Sequence, residues 1–283
     1  MVRVENLGMV FSPGTPDENK ALKNINLTVR EGDFITIIGS NGAGKTTLLN
    51  AISGTCLPTS GKVFIKTADT AKSAERTRST ERTRSTEREI TREAEYKRAR
   101  YIGRIFQNPL LGTAGKMTLA DNMMICYRKG YKGLKISLNK TMKEYFRNEL
   151  ATLGMGMENR LNDNVDLFSG GQRQALTLLM TVMSRPSLLL LDEHTAALDP
   201  RNAEMIMDLT RRFAADYHLT VMMITHNMAQ ALDAGNRLLM MDSGEIILDI
   251  DAAEKAKLTT ADIIQRFRDI KKQELANDEM LLG

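Results

Sequence analysis

Asp33-Phe34-Ile35-Thr36-Ile37-Ile38-Gly39-Ser40-Asn41-Gly42-Ala43-Gly44-Lys45-Thr46-Thr47-Leu48 is the stretch that decides the fold. Asp33 to Ile38 is an apolar, β-branched run, which predicts a buried strand. It ends at a glycine-rich turn, and Thr46 to Ser53 then reads as a helix. Gly39 to Thr46 fits the pattern G-x-x-x-x-G-K-[ST], in the strand–turn–helix context that this pattern requires. The residue types carry the chemistry. Glycines let backbone N–H groups curl around phosphate oxygens with no Cβ in the way. The helix behind the turn aims its partial positive charge at the same anion. Lys45 would reach the β- and γ-phosphates, and Thr46 would offer its hydroxyl to Mg²⁺. Gly39, Ser40, Asn41, Gly42, Ala43, Gly44, Lys45, Thr46 and Thr47 are thus candidate nucleotide-binding residues. The plainer reading is a flexible glycine loop, and the flanking strand and helix argue against it.

Working outward, Ser187-Leu188-Leu189-Leu190-Leu191-Asp192 is a second buried strand and Leu219 to Thr225 a third. Continuous apolar strands alternating with helices imply a mainly parallel sheet covered on both faces. In such a sheet the carboxyl ends of the strands line the ligand crevice. Asp192 would therefore meet the Mg²⁺ held by Thr46, through water, and Glu193 would polarise an attacking water as general base. A strand simply ending in two solvated acids is the alternative. Val2 to Val29 reads as two strands around a loop at Ser12-Pro13-Gly14-Thr15-Pro16, and Gly61 to Ile65 as another strand. Arg237 to Ile250 reads as a hairpin around Asp242-Ser243-Gly244. Asn108 to Asn164 looks mostly helical with a loop at Lys129-Gly130-Tyr131-Lys132-Gly133, and the tail from Thr259 is helical and amphipathic.

The chain of 283 residues is 42% hydrophobic, enough for one large α/β domain. Its net charge of +4 does not demand nucleic acid as a partner. Cys56 and Cys126 make no disulfide framework and no metal site. No window approaches the roughly 18 apolar residues of a membrane span, and the N-terminus has no signal-peptide pattern. A function at a membrane would require docking onto a spanning partner. One segment, about 67 to 100, departs from the rest. Glu75-Arg76-Thr77-Arg78-Ser79-Thr80 is repeated as Glu81-Arg82-Thr83-Arg84-Ser85-Thr86, and apolar residues almost vanish. Such a tract reads as a solvated helix or a disordered insertion, with a basic contact to anionic lipid or a partner as the sharper alternative. Excising Ser73 to Glu93 is expected to leave catalysis nearly intact.

Leu167-Phe168-Ser169-Gly170-Gly171-Gln172-Arg173 resembles the L-S-G-G-Q signature of the ATP-binding cassette (ABC) ATPases, in its expected place before the Asp192-Glu193 strand. Ile105-Phe106-Gln107 resembles the family's Q-loop, Ala197-Leu198-Asp199-Pro200 its D-loop, and Ile224-Thr225-His226-Asn227 its switch-histidine region. The resemblance runs from Val2 to about Ile250, the repeat tract apart. It implies a P-loop NTPase core with a mainly parallel sheet, an N-terminal antiparallel β subdomain and a helical signature subdomain. The core would be residues 1–107 and 176–250, the helical subdomain about 108–175, and 251–283 a helical tail. It implies ATP and Mg²⁺ as cofactors, with Gln107 sensing the metal and the lytic water and His226 contacting the γ-phosphate. Phe11 is the candidate for stacking on adenine, an apolar place under the N-terminal sheet being its alternative. The resemblance further implies a head-to-tail dimer. Each ATP would be held by the P-loop of one copy and by Ser169, Gly170, Gly171 and Gln172 of the other, with Asp199 at the same interface.

Two features depart from the pattern. His194 follows Glu193 where the family usually places Pro or a small residue; packing is favoured over tuning of the water. The repeat tract has no counterpart. Glu193 to Pro200, with Leu153 to Leu161, resembles the subgroup paired with branched-chain-type permeases and lipoprotein binding proteins for amino-acid-like solutes such as tryptophan or tyrosine. It implies membrane permease subunits, a second copy of the chain and an extracytoplasmic solute-binding protein as partners. The place of work would be the cytoplasmic face of the membrane, the direction import, and nucleic acid no partner. The rival function is a soluble ABC-type ATPase acting on nucleic acid or ribosomes. One P-loop, one signature and no heptads argue against it. An ATP-binding regulator without turnover is disfavoured by Glu193, Gln107 and His226.

Overall fold

Side chains alternate between the two faces along the strands of the phosphate-turn sheet, and that alternation builds the molecule. The computed structural model describes residues 1–68, 85–127 and 138–282. The loop at Lys129 to Gly133 and the repeat tract from Glu75 to Arg84 lie outside them. Among the described residues two sheets form. The larger has the order β10-β9-β3-β8-β7-β6. Its strands are β3 (Phe34–Gly39), β6 (Ile102–Ile105), β7 (Leu188–Asp192), β8 (Val221–Ile224), β9 (Arg237–Asp242) and β10 (Glu245–Ile250). Every pairing is parallel except β10 with β9. The smaller sheet, β2-β1-β4-β5, is antiparallel and comprises β1 (Val2–Phe11), β2 (Asn19–Val29), β4 (Ser60–Ala68) and β5 (Ser85–Glu89).

All residues of β7 and β8 are buried, as expected of strands covered on both faces. Leu188, Leu190, Met222 and Ile224 point to one side, where they pack with helix α1 (Lys45–Ser53) and the antiparallel sheet. Leu189, Leu191, Val221 and Met223 point to the other, against helices α3 (Leu119–Tyr127), α4 (Lys140–Ala151), α5 (Gly170–Met183) and α6 (Pro200–Asp216). Adjacent methionines thus serve opposite cores, which is the period of two in a strand. Each such side chain contributes roughly 1.5–3 kcal/mol by leaving water. Helices α7 (Met228–Asp233), α8 (Ala252–Lys255) and α9 (Thr260–Leu282) complete the chain, and Ile263 of α9 packs with Ile38, Leu238 and Met240. No helix among the described residues is long and apolar enough to cross a membrane.

The polar tract differs from its expected solvated character at its described end. Ser85–Glu89 is strand β5, paired with β4 from Phe64↔Glu89 to Ala68↔Ser85. Beyond it Ile90 is fully buried, and Thr91 accepts a hydrogen bond from the Val63 amide. Helix α2 (Glu95–Arg98) then places Arg98 in the interior with no exposure. Its guanidinium donates to the carbonyls of Ala51, Ile52, Thr91 and Glu93 at 2.7–2.9 Å. Backbone pairing asks no apolar residue of an edge strand, and charge on such an edge deters further pairing. The buried arginine is tolerated because four acceptors replace its water. Helix α5 runs to Met183, so one helix spans the expected border at residue 175.

Candidate nucleotide-binding site

The carboxyl ends of β3, β7, β6 and β8 form one edge, and the candidate residues gather there. Gly39 closes β3 at φ 148°, and a Cβ on it would lie 2.0 Å from the Met241 carbonyl oxygen. Only glycine fits that approach. The turn rests on the β9–β10 corner, where Ser40 Oγ donates to Asp242 Oδ1 at 2.9 Å and the Gly244 amide to Ala43 O at 3.2 Å. Gly44 stands before α1 at φ 94° with no side chain capping the helix, so the first amides face the turn. Lys45 folds back over it, Nζ donating to Gly39 O at 2.8 Å and Ser40 O at 2.7 Å. Burial lowers the Lys45 pKa, while Glu193 and Asp192 pull it up.

Thr46 Oγ1 donates to Asp192 Oδ1 at 3.2 Å. Asp192 ends β7, only 8% exposed. These two oxygens suit a hard divalent cation that takes its other ligands from phosphate and water. Among the described residues no group of three or more His, Cys, Asp and Glu offers a metal cage. Glu193 follows with a left-handed backbone, φ 49°, and its amide donates to Ile224 O at 3.2 Å. Glu193 Oε1 lies 2.5 Å from His226 Nε2 beyond β8, so the candidate base and the candidate γ-phosphate contact touch directly. Gln107 is exposed two residues past the end of β6, where Ile105 pairs with Leu191. Phe11 is 40% exposed at the end of β1, which excludes the place under the sheet.

The signature occupies another part of the chain. Ser169 caps α5, its Oγ accepting from the Gln172 amide at 3.3 Å while Gln172 Oε1 accepts from the Ser169 amide at 3.1 Å. Ser169 and Gly170 are exposed. Gly171 is buried, and a Cβ there would come 2.8 Å from Asn202. Asp199 caps α6 by accepting from the Asn202 amide at 3.2 Å, and bonds to Asn202 hold its carboxyl below the ordinary range. Among the described residues no hydrogen bond joins Ser169, Gly170 or Gly171 to the phosphate turn. His194 is 1% exposed with Nε2 3.1 Å from Thr210 Oγ1, which is a packed residue. His218 lies on the surface at φ 50°.

Three residues escaped the sequence reading. Arg104 on β6 donates to Asp192 Oδ2 at 3.2 Å. Gln174, 1% exposed, donates to His194 O at 2.6 Å and Phe106 O at 3.3 Å, tying α5 to the Q-loop and to the residue after Glu193. Asp242 anchors the phosphate turn. None belongs to a contiguous motif. Only a polar residue on an otherwise apolar strand, such as Arg104, offered a signal.

The ABC transporter family model matches residues 22–196. The chain is 36% identical over 270 residues to a tyrosine transport ATP-binding protein of Clostridioides difficile, an alignment covering 94% of this chain and 98% of that one. It is 28% identical over 258 residues to a phosphonates import ATP-binding protein of Lactococcus lactis, with 91% and 96% covered. Among solved structures, a dimeric ATP-binding cassette in a post-hydrolysis state, bound to ADP and phosphate, superposes with a TM-score of 0.68 at 26% identity. That superposition covers 89% of this chain and 99% of the other.

Proposed function

Because this chain belongs to the ABC transporter family and is one of its ATP-binding, ATP-hydrolysing subunits, we propose that it drives solute import as a head-to-tail dimer docked on membrane permease subunits. The observation that carries the reading is the convergence of Lys45, Thr46, Asp192, Glu193 and His226 on one sheet edge while Ser169 and Gly170 face solvent. A cradle without its signature, and a signature without its cradle, complement each other across two copies. Lys45 and the turn amides bind the β- and γ-phosphates, and the α1 dipole favours their charge. Phe11 stacks on adenine, with Thr47 beside the phosphates. Thr46 and Asp192 would hold Mg²⁺, with Gln107 sensing it; when bound, the metal would supply charge neutralisation on the phosphates. Glu193 takes the proton of the attacking water, and His226, in contact with it, orients the carboxylate toward the γ-phosphate. Ser169, Gly170, Gly171 and Gln172 of the second copy close the site with Asp199 near the seam.

ATP favours the closed dimer and its cleavage releases it, a population shift that a permease can use. Leu110 and Leu111, 57% and 65% exposed after the Q-loop, offer an apolar contact for that permease. The place of work is the cytoplasmic face of the membrane. The resemblance to a tyrosine transport protein supports an amino-acid-like solute, delivered by an extracytoplasmic binding protein. Glu193→Gln is the test. It is expected to keep ATP binding, lose on the order of a hundredfold or more in turnover and accumulate as an ATP-bound dimer on gel filtration. Wild-type turnover in that variant moves the base elsewhere, and a variant that stays monomeric with ATP removes the dimer.

A further inference from the structure

Asp192 meets two partners, and only one belongs to the ATP-binding pattern. Its Oδ1 takes the Thr46 hydroxyl, and its Oδ2 takes Arg104 Nη2 at 3.2 Å. The Arg104 and Asp192 side chains are 10% and 11% exposed, so the pair is nearly out of water. Arg104 is held through both terminal nitrogens of its guanidinium, while its Nε is buried without a hydrogen-bond partner. Its Nη1 donates to Ser53 Oγ at 3.3 Å and Thr55 Oγ1 at 3.2 Å. Those hydroxyls flank the C-terminal end of α1, the negative end of that helix dipole. The guanidinium carbon lies 4.6 Å from the Phe106 ring centroid. Thr55 in turn donates to Glu95 at 3.0 Å, so a continuous polar chain runs from α2 to the phosphate turn. A charge this constrained is no casual surface pair.

We propose that Arg104 is a positioning residue that serves as internal counter-ion to Asp192 and thereby sets the metal affinity of the nucleotide site. The inference rests on Thr46 and Asp192 being the Mg²⁺ ligands. With Arg104 fixed on Oδ2, Asp192 is locked with Oδ1 toward Thr46, in the orientation a metal needs. The same cation also repels a divalent ion arriving on Oδ1. The acid therefore binds metal weakly by itself and well only when phosphates supply further negative charge. The site would thus load metal together with nucleotide.

The test is Mn²⁺ binding followed by electron paramagnetic resonance, on the full chain saturated with ADP. Arg104→Gln is expected to tighten Mn²⁺ by about tenfold, since it removes a like charge at close range. Arg104→Lys, which keeps the charge, is expected to remain near wild type. In turnover assays the Mg²⁺ concentration at half-maximal rate should fall in the Gln variant by more than kcat changes. Unchanged Mn²⁺ affinity in Arg104→Gln overturns the proposal, as does a Lys variant that binds as tightly as the Gln variant. Should Arg104→Gln fail to fold, Arg104→Met gives the same neutral readout while still covering Phe106. Asp192→Asn separates the two levels. Loss of Mn²⁺ binding there keeps the ligand assignment even if the Arg104 series shows no change, and unaltered binding removes the assignment itself.

Discussion

Glu193 and His194 are neighbours with opposite environments. Glu193 holds a left-handed backbone at the mouth of the crevice, a conformation that costs a non-glycine residue about 1 kcal/mol or more and persists only where the surroundings impose it. The Ile224 carbonyl and His226 supply that constraint. His194 turns inward. Thr210 Oγ1 donates to Ile206 O, so it offers the imidazole a lone pair and the ring carries its proton on Nε2. Burial pushes the His194 pKa down from an ordinary 6.5 to about 4. Between those values the unfolded chain takes a proton that the folded chain refuses. Stability is therefore full above the unfolded pKa and falls as pH drops toward the folded one, by about 3 kcal/mol in all. His194→Gln is expected to flatten that part of the pH dependence of the urea midpoint. A slope as steep as the wild type's would assign the effect to another group.

Among the elements, β5 and α2 show why composition misled over residues 85–100. A tract almost without apolar residues offers no face to a core, yet a strand needs only backbone partners and β4 supplies them. Arg98 is the pivot, because its four acceptors include the Ala51 and Ile52 carbonyls near the end of the phosphate-turn helix. Arg98→Ala is expected to destabilise the fold by about 3 kcal/mol or more, since it leaves buried carbonyls without a donor. Thermal unfolding measures this, and a melting point unchanged from wild type would show that water takes over the bonds. Excision of Ser73 to Glu93 removes β5, Ile90 and Thr91 together. A lower melting point is expected, while the expectation that catalysis stays nearly intact concerns turnover and is checked separately by assay. Ser-x-x-Gln at Ser169 and Asp at Asp199 are local capping patterns, and both cap as such patterns do.

For the whole molecule, the proposed dimer makes a prediction that no single chain can satisfy. A Lys45→Ala chain and a Ser169→Arg chain are each expected to be inactive, with every site of either homodimer broken. Mixed in equal amounts, about half the dimers are heterodimers and one of their two sites is intact, so about a quarter of wild-type turnover should return. Mixtures as inactive as their components would count against the shared site. The sequence by itself determined the phosphate turn, the buried strands on either side of it, the paired acids and the signature. Each is written in a run of neighbouring residues, where glycine freedom, apolar periodicity and capping act over a few positions. Only the tertiary structure decided that Arg104 faces Asp192, that Gln174 ties α5 to the Q-loop, that Gly171 must admit Asn202 and that a charged tract supplies a strand and a buried arginine. These contacts join residues that are far apart in the chain. Their free energy comes from desolvation and hydrogen bonding that exist only once the sheet has brought both partners together.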